Sequence, residues 1–264
     1  MPPLATRFQT LHRTPPHPAD VLQLRPGSLA DYRQLARHHY KAAAPATVTA
    51  VWTLADPRPT VVGRYLHRTA EPQPVGVLVE SLPSLSCRAR DAATRGRYIR
   101  LDPRPRALLL NRELRCISRV VVDPRFRGLG LAVRLVRHAL AHATTPYTEA
   151  LAAMGHVHPF FVKAGMTAYP QPPLPKDRRL LDALQAIGLP PDTLTHLQRT
   201  REFIDALPPT RRAWVLHQLH RWYRQSAGRS RTASHDPHVH LQTAQRKLLL
   251  QPLYHLAARD TTPA

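Results

Sequence analysis

The stretch 114–143 constrains this chain more than any other. Residues 114–122 read as a strand, and Val120-Val121-Val122 suits a central position covered on both faces. Asp123-Pro124 ends it, since proline brings no backbone donor to a ladder. Gly128 and Gly130 then open a helix over about 131–143, with Leu131, Val133, Leu135 and Val136 on its apolar face. A strand feeding a helix through a glycine turn calls for layers of sheet and helix. The glycines let the backbone turn sharply with its N–H groups inward, and the helix adds the positive end of its dipole. Such a loop is a ready cradle for a pyrophosphate. A dinucleotide fingerprint would need a third glycine and an acidic residue about 20 positions later. A Walker A loop would need Gly-Lys-Ser/Thr. Neither occurs here.

The remaining pattern places other elements around this unit. Residues 1–20 read as a flexible arm with prolines at 2, 3, 15, 16 and 18. A short strand follows over 21–26, then Gly27-Ser28 supplies a turn and N-cap for a helix over 29–40. Strands are expected over 47–54, 60–67 and 75–79, the last of them buried. Residues 83–110, rich in serine and arginine, read as a basic insertion. A strand over 148–154 and a short helix over 159–164, closed by Gly165, complete a domain of 21–172. After Pro170-Gln171-Pro172-Pro173, residues 173–264 read as a helical basic region. Its helices fall at 177–187, 192–207, 210–225 and 239–258, with a linker at 228–235.

Charge narrows the partners. The chain has 38 Lys+Arg against 17 Asp+Glu, a formal charge of +21, which favours polyanions through counterion release. It is 43% hydrophobic, too apolar for a disordered polybasic tail. No run of ~18 apolar residues offers a membrane span, and 1–20 has no apolar leader, so a cytoplasmic protein is expected. Cys87 and Cys116 form no CxxC pair, which excludes a disulfide framework and a zinc ribbon. His156-x-His158 has few acidic companions and His235-x-x-His238-x-His240 lies by the linker, so no metal is expected.

The segment Arg127-Gly128-Leu129-Gly130-Leu131-Ala132 resembles the acyl-CoA loop of the GNAT acetyltransferase superfamily, Arg/Gln-x-x-Gly-x-Gly/Ala between strand and helix. Downstream, Phe160-Phe161-Val162-Lys163-Ala164-Gly165-Met166 resembles the family's Phe-Tyr-x-Lys-x-Gly-Phe ending, and 153–161 is similar to acetyltransferase domains fused to archaeal ABC-type ATPases. The likeness spans roughly 21–170. It implies an α+β fold: a mixed, mostly antiparallel central sheet flanked by helices, carrying the basic insertion and the helical C-terminal extension. It also implies an N-acyltransferase using acetyl-CoA or another acyl-CoA on an amine. Val120, Val121, Val122, Arg125, Arg127, Gly128, Leu129, Gly130, Leu131 and Ala132 would then hold the cofactor. The acyl carbonyl would bond to backbone N–H groups of the 119–121 strand.

The family's thiolate-protonating tyrosine falls on Phe161, which cannot donate a proton, and its frequent asparagine falls on Met154. Tyr40, Glu149, His156 and Ser118 are therefore the candidates for acid–base work, each with a competing structural reading. On charge, a nucleic-acid acceptor, DNA or RNA, is the favoured partner. Arg95 and Arg97 in the insertion, and Arg211, Arg212, Arg221 and Arg224 interleaved with Trp214, Trp222 and Tyr223, are the candidate phosphate contacts. His39-Tyr40 and Leu110-Asn111-Arg112 are similar to stretches of phage Mom-type enzymes, which modify adenine in DNA. Two rival classes stay open: a non-catalytic nucleic-acid binder on the same scaffold, and a small-molecule acetyltransferase.

Overall fold

The computed structural model describes residues 19–39, 44–58, 72–155, 157–226, 234–249 and 252–259. Nearly all of the arm expected at 1–20, the strand expected at 60–67 and most of the linker expected at 228–235 lie outside them. The chain divides into two compact units: 1–84, 108–148 and 258–264 in the first, 85–107 and 149–257 in the second. The boundary expected near 173 therefore falls inside the second unit.

In the first unit, β1 (Gln23–Pro26), β2 (Val48–Asp56), β3 (Gln73–Ser81) and β4 (Leu114–Val122) pair antiparallel in that order. β3 has partners on both edges and cover on both faces, which accounts for its unbroken run Val75-Gly76-Val77-Leu78-Val79. On one face, Tyr32 and Leu35 of α1 (Leu29–Leu35) pack with Val51, Val77, Val79 and Val121. On the other lies α4 (Leu131–Ala141), and Gly76 lets it come close. A Cβ there would stand 3.3 Å from Leu135 Cδ1. α1 begins as its sequence requires: Ser28 Oγ accepts from the Ala30 N–H, and Asp31 accepts from the Ser28 N–H at 2.8 Å. It ends earlier than expected, running on only as a 3₁₀ turn over Ala36–His38.

The second unit holds most of β5 (Tyr147–Ala152), with β6 (Thr167–Tyr169) antiparallel to β7 (Leu253–Ala258). The seven strands among the described residues follow the order β1-β2-β3-β4-β5-β7-β6, giving the α+β, mostly antiparallel fold that was expected. The segment read as an insertion carries α2 (Arg88–Ala93) and α3 (Pro103–Glu113). Past α5 (Phe160–Lys163), the helices α6 (Pro175–Ala186), α7 (Leu197–Asp205), α8 (Pro209–Ser226) and α9 (Pro237–Ala244) follow. They enclose a core of Leu180, Leu184, Ile204, Val215, Leu219 and Trp222, among others. The helix expected over 239–258 does not exist as one element. α9 closes through a π turn at Gln245–Leu249, Pro252 has no N–H to carry a helix on, and 253–258 form β7. Among the described residues no helix is long and apolar enough to cross a membrane.

Candidate active site

The site begins where β4 ends. Asp123 caps the 3₁₀ turn Pro124–Phe126, accepting from the Arg125 N–H at 2.9 Å. The Arg125 guanidinium returns to the same carboxylate, Nε at 3.1 Å and Nη2 at 2.8 Å. The Arg125 side-chain hydrogen bonds outweigh burial and hold the Asp123 carboxyl down at about 2. Arg125 is thus tied to the turn while its side chain stays 79% exposed.

Beyond this clamp, Gly128 (φ +85°) and Gly130 (φ +72°) both sit in the left-handed region. A Cβ on either would meet nothing within 4 Å, so conformation rather than lack of room demands glycine. Gly130 is the N-cap of α4 and supplies no side-chain acceptor. The first N–H groups of a helix have no intrahelical partner, so those of Leu131, Ala132 and Val133 keep their hydrogen-bonding capacity for a ligand at the positive end of the dipole. Leu131 is buried and anchors the loop, while Arg127 and Gly128 are exposed and Leu129 and Ala132 half-buried. On β4, Val121 belongs to the core and Val120 and Val122 alternate to the other face. Val121 and Leu131 can therefore serve a cofactor only through their backbone.

One feature of β4 escaped sequence reasoning. Val79 pairs with Arg119, but Glu80 pairs with Ile117, so Ser118 is a bulge. A bulge breaks the ladder locally and re-aims the backbone, as strands do beside active sites. Nothing in the sequence signals it, because register belongs to the pair of strands. The Ser118 hydroxyl lies 2.8 Å from Ser81 Oγ and 3.2 Å from the Val79 carbonyl oxygen. It stitches β4 to β3, which is the structural reading that competes with acid–base work.

Glu149 is tied down more completely. It is fully buried in the second unit and receives both Nε and Nη2 of Arg90 at 2.7 Å. Tyr254 donates its hydroxyl to Glu149 Oε2 at 2.9 Å. A carboxylate that accepts three hydrogen bonds in a closed interior is a structural anchor, not a free base. Burial opposes the charge of Arg90, but the hydrogen bonds and charge of Glu149 outweigh it and raise its pKa. Burial, followed by the Glu149 charge, pushes the Tyr254 hydroxyl up as well.

Phe161 is buried, its ring 4.3 Å from Phe160 and 5.0 Å from the imidazole of His255. His255, on β7, went unnoticed because its segment reads as helix. Tyr40 and His156 lie outside the described residues; His158 is exposed. Of the candidate phosphate contacts, Arg95, Arg97, Arg211, Arg221 and Arg224 are exposed, whereas Arg212 pairs with Asp205 at 2.7 Å. Trp222 is core and donates to Asp177 at 2.7 Å, while Trp214 is 43% exposed.

Residues 88–166 match the model of the acetyltransferase (GNAT) family. That stretch is similar to a GNAT acetyltransferase domain. The matched stretch holds both the glycine loop and the 160–166 ending, and it starts within the segment that sequence reasoning set apart as an insertion. Two solved structures are similar to this chain. AtaTR bound with AcCoA is 15% identical over 56% of this chain and 85% of that one, with a TM-score of 0.31. A KacTA–DNA complex is 13% identical over 57% and 87%, with a TM-score of 0.33. No curated protein matches.

Proposed function

We propose that the GNAT domain transfers an acetyl group from acetyl-CoA to an amine, with Gly128 to Ala132 holding the pyrophosphate. The observation that carries this reading is the uncapped start of α4. A left-handed glycine at the N-cap frees several N–H donors at the positive end of a helix. Arg127, exposed in the same loop, adds a cation for the phosphates. The bulge at Ser118 supports a backbone N–H of β4 as the donor that polarises the thioester carbonyl.

In this reaction the amine, having lost a proton to a base or to water, forms a C–N bond at the thioester carbon. The C–S bond breaks, and the thiolate takes a proton to leave as CoA. With Phe161 unable to supply that proton, Tyr40 and His156 are the side chains proposed to do so. Isothermal titration with acetyl-CoA tests the reading: saturable binding at one site per chain is expected. A folded protein that takes up no heat with either acetyl-CoA or CoA would refute it.

A further inference from the structure

The face of α8 that points to solvent has an order its sequence hides. Val215, Leu219, Trp222 and Tyr223 are turned into the helical core. At 3.6 residues per turn, the opposite side lines up Trp214, His217, Arg221 and Arg224, spaced i, i+3, i+7 and i+10. All four are exposed. The helix carries no acidic residue, and none occurs anywhere over 206–235. Arg212 falls off this line, held by Asp205.

α6 extends the cationic end. Arg179 Nη2 donates to Gln225 Oε1 at 3.4 Å, and Lys176 Nζ donates to the Gln225 carbonyl at 3.1 Å and to Ser226 Oγ at 3.0 Å. Arg224, Arg179 and Lys176 therefore meet at the C-terminal end of α8, where the helix dipole also favours positive charge. The result is an indole at one end of a row about 15 Å long and a knot of cations at the other.

We infer that this stripe, Trp214-His217-Arg221-Arg224 with Arg179 and Lys176, is a docking surface for an unpaired nucleic-acid strand. The cations match a phosphodiester backbone, and a row of this length spans about four phosphates at ~3.4 Å per nucleotide of a stacked strand. The indole decides between single strand and duplex. A half-exposed tryptophan is a stacking platform for a base whose face is open, and a duplex offers no such face along its grooves. A lipid surface fits poorly, because the apolar side of α8 is already spent on the core and leaves Trp214 alone among cations. The inference does not depend on the acetyl-transfer reading. It also replaces the broader set of arginines expected from the sequence.

The test is fluorescence anisotropy of the full chain with labelled 20-nucleotide oligouridylate, oligothymidylate and a 20-base-pair duplex across a salt series, with anionic vesicles as a further arm. The single strands should bind more tightly than the duplex or the vesicles. Trp214→Ala should weaken single-strand binding about tenfold or more. Changing Arg179, Arg221 and Arg224 together to Gln should lower the salt slope by about 2, at ~0.7 for each lost contact. Changing Arg95, Arg97 and Arg212 to Gln removes the same charge elsewhere and should leave the slope nearly as it was. These side chains are exposed, so melting temperatures should hold. Acetyl-CoA titration of the same variants should be unchanged, which separates failure here from failure of the enzyme reading. Absence of single-strand binding, a preference for duplex or vesicles, or equal effects of the two triple changes would overturn the inference.

Discussion

Gly130 offers the sharpest test of the loop. At φ +72° and ψ 10°, it is the N-cap of α4, and an added Cβ would meet nothing within 4 Å. The penalty for Gly130→Ala is therefore conformational and not a clash within the protein. A left-handed alanine costs about 1–2 kcal/mol. If the loop stays as it is, that cost appears as lost stability. If it escapes by flipping the backbone, the first-turn N–H groups turn away, and acetyl-CoA affinity falls by roughly 5- to 30-fold for the same energy. Gly130→Asn is the discriminating control, since asparagine tolerates the left-handed region. It should keep most of both stability and affinity, while Gly130→Val should lose more than the alanine variant. Calorimetric titration with acetyl-CoA, paired with thermal melts, reads both quantities. Equal losses for Ala and Asn would show that bulk toward the ligand matters and not φ. Unchanged affinity and stability in the Ala and Val variants would refute the loop assignment itself.

Glu149→Ala should destabilise the protein by about 3–5 kcal/mol in urea denaturation, because it strands the buried Arg90 guanidinium. Replacing Arg90 and Glu149 together by Met and Leu should recover most of that; a stable, folded Glu149→Ala protein that had lost only turnover would restore Glu149 as a catalytic group. Asp123 has its pKa depressed from 3.8 to about 2, so its stabilising contribution is present above pH ~4 and lost as pH falls through 2. The melting-temperature gap between wild type and Asp123→Asn should then be flat from pH 7 to 4 and close only below that, and a gap closing between pH 6 and 5 would contradict the Arg125 clamp. Tyr40→Phe or His156→Ala should lower kcat more than acetyl-CoA affinity; wild-type turnover in both would end the case for side-chain protonation of the thiolate.

Periodicity and turn chemistry are local, and the sequence alone reveals what depends on them. β4 lies at Leu114–Val122 as its β-branched run implies, and Ser28 caps α1. Gly128 and Gly130 mark the loop because glycine takes a positive φ at no steric cost. That is why the conformation of the glycine loop was legible and the surroundings of the acid–base candidates were not. Whether a polar residue is free to act depends on partners far along the chain. Arg90 stands 59 positions from Glu149, and Tyr254 stands 105. No window of sequence contains such a triad, so an arginine of an apparently surface-bound basic segment turned out to be core. β7 was lost for a related reason: its short Leu253–Ala258 run reads equally well as helix until strand pairing chooses. The bulge at Ser118 exists only in the register of two strands. On α8, composition announced arginines among aromatics, but only packing could send Trp222 inward to Asp177 and leave Trp214 out with Arg221 and Arg224. The sequence determines what each residue is able to do next to its chain neighbours; the tertiary structure decides which groups water can still reach.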